Sequence, residues 1–312
     1  MADKIIDTIM IGAGPSALTA SVYTTREDIE TVLYEKAIVG GLAAITDRVD
    51  NYPGFPDGIE GMELAENLRK QAERFGAKIE MGEVTEIRDD GDHKTLIVNG
   101  EEVKARTVLI ATGSDYKKIG APGEAEYYGR GVHYCATCDG AFYRDKNIAV
   151  VGGGNSGVQE TIFLTRFAKH IDLIVRSTLK ASEVLQKDLQ KYVDSGQITV
   201  HLGTTIDEIV ADDGKVSSVK INKNGQPDSL AVDGVFIFIG LKPNTGFLAD
   251  SNIELDEQGL IKTDKHLMTN MPGVFASGDV RSGATMQIAS AVGEGATAAL
   301  SIREYLDELA HK

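Results

Sequence analysis

Residues 133–140 read HYCATCDG, and Cys135 and Cys138 are the only two cysteines in the chain. Two thiols separated by two residues can close a small disulfide ring, and a place at a helix start favours the reactive thiolate. Asp139, directly after the second cysteine, could give or take a proton as the thiols cycle. Gly131 and Gly140 flank the unit and would free its backbone. Two other readings compete with a redox dithiol. A zinc site normally needs four ligands. His133 lies close enough to join the cysteines, but His93, His170, His201, His266 and His311 are scattered and supply no second cluster. The pair could also be two buried thiols with no chemistry.

The second chemical signal is a glycine turn. Gly12-Ala13-Gly14-Pro15-Ser16-Ala17 fits G-x-G-x-x-G/A directly after a β-branched run. One glycine makes the tight turn, the next lets the backbone approach a pyrophosphate, and the small third residue lets helix and strand pack closely. Glu35 follows at the end of the next expected strand, where a carboxylate can accept from a ribose hydroxyl. Lys36 stands beside it. Gly40-Gly41-Leu42, Asn51-Tyr52-Pro53-Gly54, Ala111-Thr112-Gly113 and Ala276-Ser277-Gly278-Asp279 are further glycine-bounded stretches. Segments so far apart could all reach one long ligand, which suits FAD better than NAD.

Gly152-Gly153-Gly154-Asn155-Ser156-Gly157 repeats the design. At the position equivalent to Glu35 stands Val175, followed by Arg176, with Lys180 about one helical turn later. A missing carboxylate and added cations suit a 2′-phosphate, so NADPH is expected over NADH.

These motifs need two copies of one positioning plan. Residues 6–20 (IDTIMIGAGPSALTA) are echoed by 147–161 (NIAVVGGGNSGVQET), TVLYE at 31–35 by IDLIV at 171–175, and VKARTVLIATG at 103–113 by LAVDGVFIFIG at 230–240. GVFASGDV at 273–280 reads as a strand, and GATAALSIREYLDEL at 295–309 has helical spacing. This tail is too short for a third domain, so it should return to complete the first. The expectation is an α/β protein with two Rossmann-like, three-layer ββα dinucleotide-binding domains, the second inserted into the first. The boundaries are 1–117 with 246–312, and 118–245. The crossings, near 115–120 and 242–247, are rich in Gly, Pro, Lys and Asn.

Bulk properties exclude other classes. The chain has 312 residues, long enough for two ordinary domains. Net charge of −15 disfavours nucleic acid and anionic membrane surfaces as partners. VLIATG and VFIFIG fall far short of the ~20 apolar residues a membrane helix needs. MADKIIDTIMIGAG lacks the pattern of a signal peptide. With only two cysteines, the reducing cytoplasm is the expected compartment.

MIGAGP, NYPG, ATG, CATCDG, GGGNS and GVFASGDV together resemble the low-molecular-weight bacterial thioredoxin reductases, over nearly the whole chain. The resemblance implies non-covalent FAD in the split domain, NADPH in the inserted domain, a homodimer, and an inserted domain that rotates to serve two partners. Cys138 would face the flavin, Cys135 would attack the disulfide of thioredoxin or a thioredoxin-like protein, and Asp139 would be the acid. The flavin site would comprise Gly12, Gly14, Pro15 and Ser16; Glu35 and Lys36; Gly41, Leu42 and Asn51. It would continue through Val84; Ala111, Thr112 and Gly113; then Gly278, Asp279, Gln287 and Ile288. The nucleotide site would comprise Gly152, Gly154, Asn155, Ser156, Arg176 and Lys180. Arg130 and Phe142 are candidates for docking the protein substrate.

Two departures stand out. The family's HRRxxxR cluster is reduced here to Val175-Arg176-Ser177-Thr178-Leu179-Lys180, and its usual Arg-Gln near the flavin is Met286-Gln287. Some relatives of this family draw electrons from ferredoxin or a second flavin, so that donor remains the alternative. A non-catalytic redox sensor is the reading from another class. A peroxiredoxin-reducing flavoprotein would carry an extra N-terminal domain, and a ferredoxin–NADP reductase would not need CATC.

Overall fold

The computed structural model describes residues 4–46 and 48–311. The chain divides into two units, residues 1–115 with 242–312, and residues 116–241.

In the first unit, the β-branched run IIDTIMI forms β1 (Ile5–Ile11) and stops at Gly12. Helix α1 (Pro15–Thr25) begins with a proline, whose fixed φ suits a first helical turn. Strand β2 (Thr31–Glu35) lies parallel to β1. A short hairpin of β3 (Arg48–Val49) and β4 (Ile59–Glu60) leads into α2 (Gly61–Arg74), and β5 (Lys78–Met81) adds to β2. Strands β6 (Val84–Asp89) and β7 (Lys94–Val98) form an antiparallel hairpin. Strand β8 (Glu101–Ile110) pairs antiparallel with β7 along its first half and parallel with β1.

The chain crosses at β9 (Ser114–Tyr116) into the second unit. There β10 (Val132–His133) precedes the single-turn α3 (Ala136–Asp139). Next come β11 (Asn147–Val151), α4 (Asn155–Leu164), β12 (His170–Val175), α5 (Glu183–Asp194) and β13 (Ile198–Leu202). Strands β14 (Thr204–Asp212), β15 (Lys215–Lys223) and β16 (Gln226–Ala231) form an antiparallel sheet, and β17 (Gly234–Ile237) returns to the parallel one, ordered β10-β17-β11-β12-β13. The chain leaves at β18 (Leu241–Pro243). Back in the first unit, β19 (Val274–Ala276) pairs parallel with the last residues of β8, and α6 (Ile288–Ala310) ends the fold. The unit boundaries fall at 115/116 and 241/242 because each crossing is itself a short strand; the linker composition alone places them at 117/118 and 245/246.

Side-chain alternation explains the layers. Successive residues of a strand face opposite sides, and a parallel sheet buries both. Met10, Leu33 and Leu109 pack on the helices α1, α2 and α6, whereas Ile9, Ile11, Val32 and Ile110 pack on the β6–β7 side with Ile87 and Leu96. The second unit repeats this. Ile148, Val150, Leu173 and Phe236 meet α4 and α5, and Ala149, Ile174 and Val235 meet the antiparallel sheet through Ile209 and Val219. Each unit is thus a three-layer ββα sandwich. Among the described residues no helix is long and apolar enough to cross a membrane.

Helices α1 and α6 touch at small residues. A Cβ added to Gly295 would sit 2.2 Å from the Ser16 carbonyl oxygen, whereas at the exposed Gly293 it would meet nothing within 4 Å. Gly295→Ala should therefore lower stability by about 1–3 kcal/mol, the usual penalty for overpacking. Gly293→Ala should be neutral or slightly stabilising. Urea midpoints of the two variants check this.

Candidate functional site

The first unit gathers a cradle at the ends of its parallel strands. Gly12 has φ +97°, and a Cβ there would lie 2.6 Å from the Ala111 carbonyl oxygen. Only glycine allows this turn to press on the strand end. Gly14 N-caps α1, with open space where a Cβ would be and no side chain capping the helix. A Cβ on Gly41 would lie 3.7 Å from the Gly14 Cα, so this second turn backs onto the first. Glu35 is buried, and its two carboxylate oxygens accept from the amides of Ala13 and Ala37, each at 2.8 Å. It pins the turn and keeps lone pairs for a hydroxyl.

Residues far apart in sequence close the cradle. The hydroxyls of Ser16 and Ser277 meet at 2.6 Å, and a Cβ on Gly278 would lie 3.2 Å from the Ser16 Cβ. Asn51 Nδ2 donates to Gln287 Oε1 at 2.9 Å, just before Ile288 starts α6. Thr112 Oγ1 donates to the Asn244 carbonyl at 2.8 Å, and Asn244 Nδ2 donates back at 3.0 Å. Gly113, with φ +65°, and half-buried Leu42 stand in the adjoining turns. Pro15 occupies the first helical position. Lys36 is exposed, and with Ala37, Met81, Gly82, Glu83 and Asn99 it lines a cleft of about 530 Å³. Val84 is different. Its side chain is in the core beside Ile87 and Leu96, at the start of β6.

Asp279 tests whether a large ligand fits. Its Oδ1 is buried with no hydrogen-bond partner among the described residues. Buried acceptors are normally satisfied, so this oxygen suits a hydroxyl supplied by a bound group. The neighbouring Gly278 amide donates instead to Glu294 Oε2, which also receives Arg281 Nε at 3.1 Å. With the open Gly14 face and the free helix start, these residues fit a flavin dinucleotide.

The second unit repeats the glycine turn with other fastenings. Gly152 has φ +147°, and a Cβ there would lie 2.4 Å from the Phe238 carbonyl oxygen; one on Gly157 would lie 2.4 Å from that of Gly152. Gly154 again has open space. Asn155 Oδ1 accepts from the Ser182 amide at 2.8 Å, and the Lys180 amide donates to the Gly153 carbonyl at 2.7 Å. Ser156, Arg176 and the Lys180 side chain are exposed around this turn. These groups fit a nucleotide with added phosphate.

The dithiol lies in this same unit. Cys135 and Cys138 are joined in a disulfide, which commits both sulfurs and leaves none for a metal. Cys135 N-caps α3, its Sγ accepting from the Cys138 amide at 3.1 Å. Gly131, with φ +129°, takes a backbone conformation that favours glycine and also allows close contact, whereas Gly140, with φ −57°, serves close contact alone. A Cβ on Gly131 would lie 2.5 Å from Val216 Cγ2, and one on Gly140 would lie 2.8 Å from Leu164 Cδ2. Asp139 Oδ2 lies 3.2 Å from His133 Nδ1. The HxCxxC spacing drew attention to His133 as a metal ligand, and its actual neighbour is the aspartate. The Arg130 guanidinium donates to the Glu126 carbonyl at 2.8 Å, and Phe142 is 45% exposed.

Comparison with known proteins agrees with this geometry. Residues 6–295 match the family described as pyridine nucleotide-disulphide oxidoreductase. Proteins named thioredoxin reductase from Listeria innocua and Bacillus subtilis are each 41% identical over 98% of this chain and 96% of their own length. The chain belongs to the low-molecular-weight thioredoxin reductases. The crystal structure of a family member from Streptococcus pyogenes MGAS5005 is 40% identical and superposes with a TM-score of 0.92, covering 97% of this chain and 99% of that one. Thioredoxin reductases of this kind are flavoprotein oxidoreductases with a redox-active disulfide, and the Cys135–Cys138 disulfide is present in this chain.

Burial, with a smaller push from the Glu294 carboxylate, raises Asp279 to about 6. A carboxyl raised on folding holds its proton more tightly in the native state, so its stabilising contribution is full below its unfolded value and is lost as pH rises through about 6. Asp279→Asn cannot ionise. Between about pH 4 and pH 7 the ligand-free protein should lose stability relative to Asp279→Asn, on the order of 2 kcal/mol. Urea unfolding of both proteins across that range checks it.

Proposed function

We propose that the protein reduces the disulfide of thioredoxin or a thioredoxin-like protein, with NADPH as electron source and FAD as carrier. The observation that supports this most directly is the Cys135–Cys138 disulfide, closed at the start of α3 with Asp139 directly behind it. Bound in the cradle of the first unit, FAD would supply two-electron transfer between a nicotinamide and a disulfide. The free start of α1 would hold its pyrophosphate, Glu35 a ribose hydroxyl and Asp279 a hydroxyl of the flavin chain. The residues proposed for contact are the turn Gly12–Ser16, Glu35–Lys36, Gly41–Leu42, Asn51, Ala111–Gly113, Gly278–Asp279 and Gln287–Ile288, with the backbone of Val84.

The chain's own sulfurs do the exchange. With the dithiol reduced, Cys135 as thiolate attacks one sulfur of the partner disulfide, and the other partner sulfur leaves and takes a proton. Cys138 then attacks Cys135, the Cys135–Cys138 bond re-forms, and the second partner thiol is released. Two electrons pass from the dithiol to the partner. Asp139 takes the Cys138 proton as the ring closes and returns it when the ring is next opened. The exposed Phe142, with Arg130, offers an apolar and cationic contact for the partner. A homodimer and a cytoplasmic setting accompany this reading.

NADPH is favoured over NADH because Val175 replaces a carboxylate and both cations nearby are exposed. The thinned cation cluster keeps a second reading in view, with ferredoxin or a second flavin as donor. Anaerobic mixing of the flavin-loaded protein with either nucleotide decides between them. NADPH should bleach the flavin fast and NADH slowly. The double variant Arg176→Ala, Lys180→Ala should weaken NADPH binding about 10- to 100-fold and leave NADH unaffected. If dithionite bleaches the flavin and neither nucleotide does, the NADPH assignment is wrong.

A further inference from the structure

His133 has no part in the chemistry above, yet it is only 6% exposed and faces the acid. Its ring stacks on the fully buried Phe236, centroids 5.1 Å apart, and meets the Tyr143 ring edge-on at 5.3 Å. Nε2 lies 2.7 Å from the Tyr143 hydroxyl, and Nδ1 lies 3.2 Å from Asp139 Oδ2. Packing therefore clamps the imidazole, with one nitrogen on a buried hydroxyl and the other on the carboxyl beside the dithiol.

We propose that His133 is a positioning residue for Asp139, holding its carboxyl beside the dithiol in both protonation states, with Tyr143 setting the tautomer. This rests on the reading of Asp139 as the proton carrier. A neutral imidazole has one donor and one acceptor nitrogen. When Asp139 is ionised, Nδ1–H donates to Oδ2 and Nε2 accepts from the Tyr143 hydroxyl. When Asp139 takes a proton on Oδ1, Nδ1–H still donates to Oδ2 and the Tyr143 hydroxyl still donates to Nε2, so the ring keeps its tautomer. The carboxyl keeps one partner at one place while its proton comes and goes. On the Tyr143 side, Asp233 acts on the phenol and Lys146 lies over its ring at 5.5 Å. Burial, then the charges of Asp139 and Asp233, push the Tyr143 phenol up, so it stays a neutral hydroxyl.

The test is a double-mutant cycle on the flavin-loaded protein. The dithiol is reduced with dithiothreitol, desalted, and mixed with an oxidised thioredoxin in a single turnover, so the result does not depend on the electron donor. His133→Leu should slow exchange about tenfold and Asp139→Asn at least as much. The double variant should be no slower than Asp139→Asn alone, since His133 acts through that carboxyl. The pH dependence of iodoacetamide alkylation of the dithiol should shift in His133→Leu toward that of Asp139→Asn, which a merely structural role would not produce. If His133→Leu fails to fold, Tyr143→Phe keeps the ring packing and carries the same cycle, with about a threefold loss expected. Losses that multiply in the double variant, or an unchanged rate in both His133→Leu and Tyr143→Phe, overturn the proposal while Asp139→Asn stays slow. A wild-type rate in Asp139→Asn removes the acid assignment, and this proposal with it.

Discussion

At two turns of this protein, backbone must touch backbone. A methyl group on Gly12 would lie 2.6 Å from the carbonyl oxygen of Ala111, and one on Gly152 would lie 2.4 Å from that of Phe238. In each unit the strand before the turn, β1 or β11, passes into its helix where the neighbouring strand, β8 or β17, also ends. That geometry leaves the helix N-terminus open at the edge of the sheet, with unpaired amides and no side-chain cap. The hydrophobic strands bring the turns together, and the glycines let them stay there. The Glu35 carboxylate is tied to the first of these turns, and the backbone of Lys180 to the second.

The copies fasten the turn differently. In the first unit a carboxylate holds it, because Glu35 accepts from the amides on both sides. The second unit has no acid at the matching position. Instead Val175 packs on Gly153, where a Cβ would meet its Cγ1 at 2.5 Å, and the amides of Lys180 and Ala181 both donate to the Gly153 carbonyl. Backbone does the work of the carboxylate. The end of β12 is thereby released from a negative charge that would repel an added phosphate.

Local pattern made much of this legible. The repeated run of strand, glycines and helix announces two nucleotide-binding units, and Cys-x-x-Cys-Asp announces the dithiol. What the sequence hides is set by long-range packing. Asn51 and Gln287 are 236 residues apart, and Ser16 and Ser277 are 261 apart, yet both pairs share hydrogen bonds. Gly131 and Gly140 look like hinges in a string of letters, because conformational freedom and close approach both select glycine. Here Gly131, at φ +129°, uses both, and Gly140 uses only the close approach to Leu164. His133 looks like a metal ligand because a ligand spacing can be read in the letters, and the Phe236 and Tyr143 rings that clamp it cannot.

Within the second unit, α4 separates two tasks. The glycine turn opens at its N-terminus, and Gly140, just behind the dithiol, packs on Leu164 at its other end. The helix has 10 residues and so spans about 15 Å. The separation is rigid, because Val158 and Leu164 bind the helix into the same core as Phe236. Phe236 in turn supports the His133 ring that stands beside Asp139. One buried cluster thus holds the glycine turn and the disulfide apart, and it also packs the His133 ring beside Asp139.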